Sequence, residues 1–151
     1  MRKNLTEIMR KRYFDAKKQP IFEHLLKPEL VSLSDGESVI SMLVGEEHLN
    51  IQRKVHGGVL ASLADLAMGV ACITYDKQAV TSDMNIAYIG TATEGEELFA
   101  KAKVIHNGKT LIRTTCFISN AEGRLLVSAS ATFFVIGVLP NLEGPSGLSG
   151  L

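Results

Sequence analysis

The stretch Val55-His56-Gly57-Gly58-Val59-Leu60-Ala61-Ser62-Leu63-Ala64-Asp65-Leu66-Ala67-Met68-Gly69, continued by Val70-Ala71-Cys72-Ile73-Thr74, decides the fold. From Gly57 to Thr74 it reads as one helix with almost no polar face, and a helix that is apolar nearly all round is a buried one. Ala61, Ser62, Ala64, Ala67, Gly69 and Ala71 are small and let neighbouring backbone approach closely. The pattern predicts a helix that other elements wrap around.

Working outward, the flanks supply the wrapping. Upstream, Leu30-Val31-Ser32-Leu33, the Asp35-Gly36 turn and Ser38 to Val44 read as a β-hairpin, followed by a polar loop from Gly45 to Lys54. Downstream come four strand-like runs, Ala79 to Ile89, Glu97 to His106, Thr110 to Ser119 and Arg124 to Ile136, rich in β-branched and aromatic residues. Asn107-Gly108 and Glu122-Gly123 are turn signals between them, so the last three strands form a meander. Hairpin, buried helix and antiparallel run together make an α+β plan, one sheet curled around one helix. Before it, residues 1–28 form an N-terminal segment in which Leu5, Ile8, Met9 and Phe14 give a modest amphipathic helix up to Lys18, stopped by Pro20. Residues 29–138 make the main domain, and residues 139–151 a Gly/Ser/Pro-rich tail expected to be flexible.

Composition narrows the function classes. The chain has 151 residues, the size of one domain, and 46% of them are hydrophobic. Lys plus Arg and Asp plus Glu both total 16, and this zero net charge argues against a nucleic-acid partner, which calls for a basic excess. Cys72 and Cys116 have no metal-like spacing and read as two reduced core residues of a cytoplasmic protein. No apolar run is long enough for a membrane span, and Met1-Arg2-Lys3 is followed by no secretory-type apolar segment. No metal site and no resident cofactor are expected.

Asp65 is the most informative residue. A carboxylate amid Leu63-Ala64 and Leu66-Ala67-Met68 faces a desolvation cost of several kcal/mol, roughly, unless it is paired or opens onto a cavity. The bland alternative is an acid that only fixes its helix to a strand. At the start of the same helix, His56-Gly57-Gly58 leaves N–H groups uncovered, where an anion or a developing oxyanion is favoured. Its bland alternative is an ordinary Gly-rich junction. Asp65 lies just over two turns beyond Gly57, about 12 Å in rise. Both groups cannot act on one carbonyl within one subunit, so joint catalysis requires a second copy and a site at a homodimer interface. By strand alternation Asp83 and Asn85 share a face with Thr81, which reads as a polar patch giving Asp65 company.

These residues, with Val80-Thr81-Ser82-Asp83-Met84-Asn85-Ile86-Ala87-Tyr88, His106-Asn107-Gly108-Lys109-Thr110-Leu111, Glu122-Gly123-Arg124 and Ala129-Ser130-Ala131-Thr132-Phe133, resemble hotdog-fold acyl-CoA thioesterases of the phenylacetic-acid degradation (PaaI) type. The resemblance spans roughly residues 30 to 136. It implies the hotdog fold and hydrolysis of an acyl-CoA, with Asp65 as nucleophile or general base and the Gly57 N–H as oxyanion donor from the partner subunit. It also implies that Asn50 positions the nucleophile or water, that His56 orients the loop or lies near the thioester sulfur, and that the Thr81 hydroxyl holds the attacking water. Gly58, Ser82, Asn107, Gly108, Lys109 and Thr110 would bind substrate, the last four near the CoA phosphates. A homodimer, extended to a dimer of dimers, is the implied assembly. Ile89-Gly90-Thr91 departs from relatives that have an apolar or aromatic residue and then a proline, which bears on the strand end and the acyl pocket. Two other readings stay open, a hotdog hydratase or dehydratase and a non-catalytic acyl-CoA-binding protein.

Overall fold

A computed structural model of the chain describes residues 4–14 and 21–139. One antiparallel sheet of six strands curls around one long helix. The strands are β1 (Glu29–Ser34), β2 (Glu37–Leu43), β3 (Lys77–Tyr88), β4 (Glu97–Asn107), β5 (Leu111–Asn120) and β6 (Leu125–Val138). Their order across the sheet is β1-β2-β4-β5-β6-β3, so the expected hairpin and meander both form and β3 closes the far edge against β6. A short helix, α1 (Leu5–Met9), runs on into a π-turn at Arg10–Phe14, and a 3-10 turn spans Phe22–Leu26. The end of the expected N-terminal helix, 15–18, and nearly all of the Gly/Ser/Pro-rich tail, 140–151, lie outside the described residues.

The central helix, α2 (Gly57–Ile73), packs against β2 through β6. Its start is capped by His56, whose Nδ1 accepts the Gly58 N–H at 2.8 Å. Its end is held by Thr74, which donates to the Ala71 carbonyl and accepts the N–H of Gly36 from the β1–β2 turn. In the middle, the buried Ser38 hydroxyl of β2 donates to the Ala67 carbonyl at 2.7 Å. Each of these polar groups is satisfied, which burial demands. Leu60, Leu63, Ala64, Ala67, Met68 and Ala71 are sealed in the core, and the small ones among them allow the sheet to close tightly.

The helix is not buried all round, however. Gly58 is exposed and Ala61, Ser62, Asp65, Gly69 and Ile73 are only partly covered, a stripe at helical spacing beside β3. The sheet edges differ as well. On β1, Arg10 donates to the carbonyls of Leu30 and Val31 and Thr6 to that of Leu33, so the N-terminal segment covers that strand. On β3, twelve residues long, Val80 to Asp83 and Tyr88 are exposed.

A bulge in β3 corrects the expected polar patch. Thr81 pairs with Phe133 and Asp83 with the adjacent Thr132, so Ser82 is an extra residue with no opposite number. One inserted residue reverses the alternation beyond it. Asp83 and Asn85 therefore fall on the face opposite Thr81, where Asp83 sits 3.9 Å from Arg113. Met84 and Ile86 turn inward in their place, and the exposed Tyr88 shares their face, its hydroxyl reaching the start of α2.

Candidate active site

Asp65 is half-buried and its carboxylate is met by the hydroxyl of Thr81, which donates to Oδ1 at 2.7 Å. The acid is held from the helix and the hydroxyl from β3, directly before the bulge. Of the two exits that desolvation leaves such a carboxylate, pairing and a cavity, both are taken. Asp65 and Thr81 line a cavity of about 740 Å³ between α2, β3 and the N-terminal segment. The second carboxylate oxygen, Oδ2, has no hydrogen-bond donor among the described residues.

The helix start is organised from below. His48 is 3% exposed; its Nδ1 accepts the Gly45 N–H and its Nε2–H donates to the Leu25 carbonyl, which fixes the neutral tautomer. Its own carbonyl accepts the N–H of His56 at 2.8 Å, and Val55 is tied to the Ala92 carbonyl. The loop that delivers Gly57 is thus bonded on both sides. Tyr88 donates to the Gly57 carbonyl at 3.0 Å, and its ring lies 3.4 Å from where a Cβ on Gly57 would stand. The Gly57 N–H has no acceptor among the described residues. It is the first N–H of a seventeen-residue helix, a position suited to a developing negative charge.

The other expected residues are dispersed. Asn50 organises its own loop, its Oδ1 accepting from the N–H groups of Gln52 and Lys54, and it has no bond to Asp65 or His56 in this chain. His56 is spent partly on capping, and Gly58 gives it its N–H. Ser82 is the exposed bulge residue. The turn carrying Asn107, Gly108, Lys109 and Thr110 is pinned to the start of β3, because Lys77 donates to the Asn107 side chain and to the Gly108 carbonyl at 2.9 Å. Lys109 and Thr110 are exposed there. Cys72 and Cys116 are both buried, and burial pushes each thiol up to about 12, which makes them inert. No group of three His, Cys, Asp or Glu among the described residues is placed to hold a metal ion.

Two residues escaped the sequence. His48 sits in a loop that reads only as polar, and nothing in its spacing marks it as a ring bonded at both nitrogens. Tyr88 is seven positions from Thr81, so simple alternation puts the two on opposite faces. Only the bulge unites them.

The family model of the thioesterase superfamily matches residues 53–127, from the loop before the helix into β6. Human acyl-coenzyme A thioesterase 13 is 37% identical over 115 residues, covering 74% of this chain and 82% of that one. The chain belongs to the thioesterase superfamily. Its hotdog fold is shared with the solved PaaI protein of the Escherichia coli phenylacetic acid degradation operon, at 30% identity and a TM-score of 0.74 over 76% of this chain and 83% of that one. A hypothetical thioesterase of Streptococcus pneumoniae, solved with coenzyme A, is 31% identical with a TM-score of 0.72, covering 74% of this chain and 87% of that one. In further structures of that streptococcal protein an aspartate and a threonine sixteen positions apart are each replaced by alanine. Sixteen is also the separation of Asp65 and Thr81. Among the described residues no helix is long and apolar enough to cross a membrane.

Proposed function

We propose that this superfamily member hydrolyses an acyl-CoA to a carboxylic acid and free CoA, with Asp65 as the reacting carboxylate. The observation that carries this is the Thr81–Asp65 hydrogen bond at a cavity wall. It fixes one carboxylate oxygen and leaves the other to act. As general base, Asp65 takes a proton from water while the water oxygen bonds to the thioester carbon; collapse of the adduct breaks the C–S bond and the CoA thiolate recovers a proton. As nucleophile, the same oxygen attacks the carbon itself, the C–S bond breaks and the CoA thiolate leaves to take a proton, and water then hydrolyses the acyl-aspartate to the carboxylic acid and free Asp65. Either route calls on the chain's own groups and water, without a resident cofactor. The streptococcal relative's bound coenzyme A supports CoA as the carrier.

The carbonyl oxygen needs donors, and the Gly57 N–H of the same chain is two helical turns away from Asp65. The second copy supplies it. Two chains meeting along the uncovered β3 edge would set two α2 stripes side by side, and the covered β1 edge leaves β3 as the strand available. In that assembly Asn50 and His56 approach the partner's acid, and Asn107 to Thr110 lie at the rim for the CoA phosphates. The two inert thiols suit a reducing, cytoplasmic setting.

Thiol release from a panel of acyl-CoAs is the test. Asp65→Asn is expected to lower kcat by about 10²–10⁴-fold with the fold intact by circular dichroism. Full activity in that variant would refute the role, and tight binding without turnover in the wild type would leave an acyl-CoA-binding protein instead.

A further inference from the structure

The Asp65 cavity continues well past the reacting group, between three walls. One wall is the helix stripe from Asp65 past Gly69 to Ile73, about 12 Å of rise. The facing wall is β3 running the other way, from Thr81 to Lys77, and the N-terminal segment closes a third side with Tyr13 and Phe14. A volume of about 740 Å³ matches a ligand of many atoms, far more than an acetyl group needs. The lining is chiefly apolar, with Leu66, Val70, Ile73 and Phe133 contributing; besides Asp65 and Thr81 its polar members are Glu23, His24, Gln78 and Lys77, whose ammonium is turned onto the Asn107–Gly108 turn.

Gly69 lines this slot without a side chain to fill it. It lies one turn after Asp65 on the same stripe, and a Cβ added there would meet only the Phe133 ring, at an ordinary 3.6 Å. The cavity that Gly69 lines is the space that a longer side chain there would enter. A glycine costs about 1 kcal/mol relative to alanine inside a helix, so nothing in the helix itself asks for one here.

Building on the thioesterase reading, we infer that this slot takes an extended apolar acyl group, and that Gly69 and the Tyr13–Phe14 wall set the length accepted. The acyl chain lies along the α2 stripe with its thioester carbon at Asp65. Each methylene added should raise kcat/KM by about fourfold until the wall is reached, because burial of a methylene is the only new interaction. Gly69→Leu shortens the slot and Phe14→Ala lengthens it, so neither residue is catalytic; both are specificity determinants.

The experiment measures kcat/KM for straight-chain acyl-CoAs from acetyl upward, and for phenylacetyl-CoA as an apolar ring, in the wild type and both variants. In Gly69→Leu the long-to-short ratio is expected to fall at least about tenfold, with phenylacetyl-CoA following the long chains, while Phe14→Ala moves the optimum to longer chains. A wild-type series flat in chain length, or a Gly69→Leu variant that lowers every substrate by one common factor, would overturn the proposal. Calorimetric binding of the free straight-chain carboxylates runs in parallel. Length-dependent binding that Gly69→Leu abolishes supports the slot even if no acyl-CoA turns over, in which case the hydrolase reading fails alone. Binding indifferent to length in the wild type overturns the slot. Melting curves establish that Gly69→Leu folds, and Phe14→Ala, which removes only a wall, decides the matter if it does not.

Discussion

Asp65 depends on one hydroxyl. A hydrogen bond from a neutral donor to a charged acceptor contributes about 1.5–3 kcal/mol, and the bond from Thr81 both orients the carboxylate and occupies the oxygen that is not needed for chemistry. Thr81→Val keeps the shape and deletes the donor. It is expected to lower kcat by about 10–100-fold with KM little changed, and Thr81→Ser, which restores a hydroxyl, should recover most of the loss. A Thr81→Val enzyme of wild-type kcat would mean that the hydroxyl only pins the helix to β3. Asp65 was legible from the chain, because a carboxylate in an apolar helix stands out, whereas Thr81 was marked only by the resemblance to PaaI-type thioesterases. His48 and Tyr88 were not legible, since their importance lies in hydrogen bonds to the Gly45, Leu25 and Gly57 backbones. No spacing rule encodes a bond made to a distant carbonyl.

At the scale of elements, the helix, the hairpin and the meander could all be read, because period and turn chemistry are local and agree with the packing. Strand ends moved by one or two residues, the usual cost of fraying. The parity of β3 could not be read. Val80-Thr81-Ser82-Asp83 contains no glycine and no break in polarity, yet the register against β6 slips by one there. The bulge lets the strand give Asp65 a hydroxyl and still pack Met84 and Ile86 into the core. A second element-scale device is the loop before β4. Glu96 accepts from the Thr93 N–H and hydroxyl, from Asn120 and from Arg124, and these bonds, led by the one from Asn120, pull its carboxyl down to about 2 from an ordinary 4.5. The same loop carries Ala92, to which the residue before His56 is bonded. A depressed folded-state value means the stabilisation is complete above about pH 4.5 and is lost as pH falls toward 2. Glu96→Gln is expected to lower stability at pH 7 by up to about 1 kcal/mol, discounted for solvent screening, and to change it little near pH 2. Denaturant melts at the two pH values check this, and an equal loss at both would rule out the ionised carboxylate as the cause.

At the scale of the molecule, the question is how many chains make one site. Within a chain the acid and the unsatisfied Gly57 N–H belong to the same straight helix, and no local motion brings them to one carbonyl. The asymmetry of the sheet points the same way: the N-terminal segment donates to the β1 carbonyls, whereas β3 offers a long open edge next to the half-covered stripe of α2. Two-fold pairing along that edge would make each site from the Asp65 of one chain and the Gly57 of the other. This gives a test that no single-chain site can pass. Gly57 is the first helical residue, where proline is well accepted, and the extended His56 before it already has the backbone that a following proline requires. Gly57→Pro therefore deletes the N–H donor with little cost to the helix. Alone, it and Asp65→Asn should each give nearly inactive homodimers. Co-expressed in equal amounts, half of the dimers are mixed, and in each of those one site carries both lesions and the other carries none. About a quarter of wild-type activity is then expected from the mixture. A mixture as inactive as its components would place both groups in separate roles, because two-fold pairing of shared sites always leaves one mixed-dimer site whole.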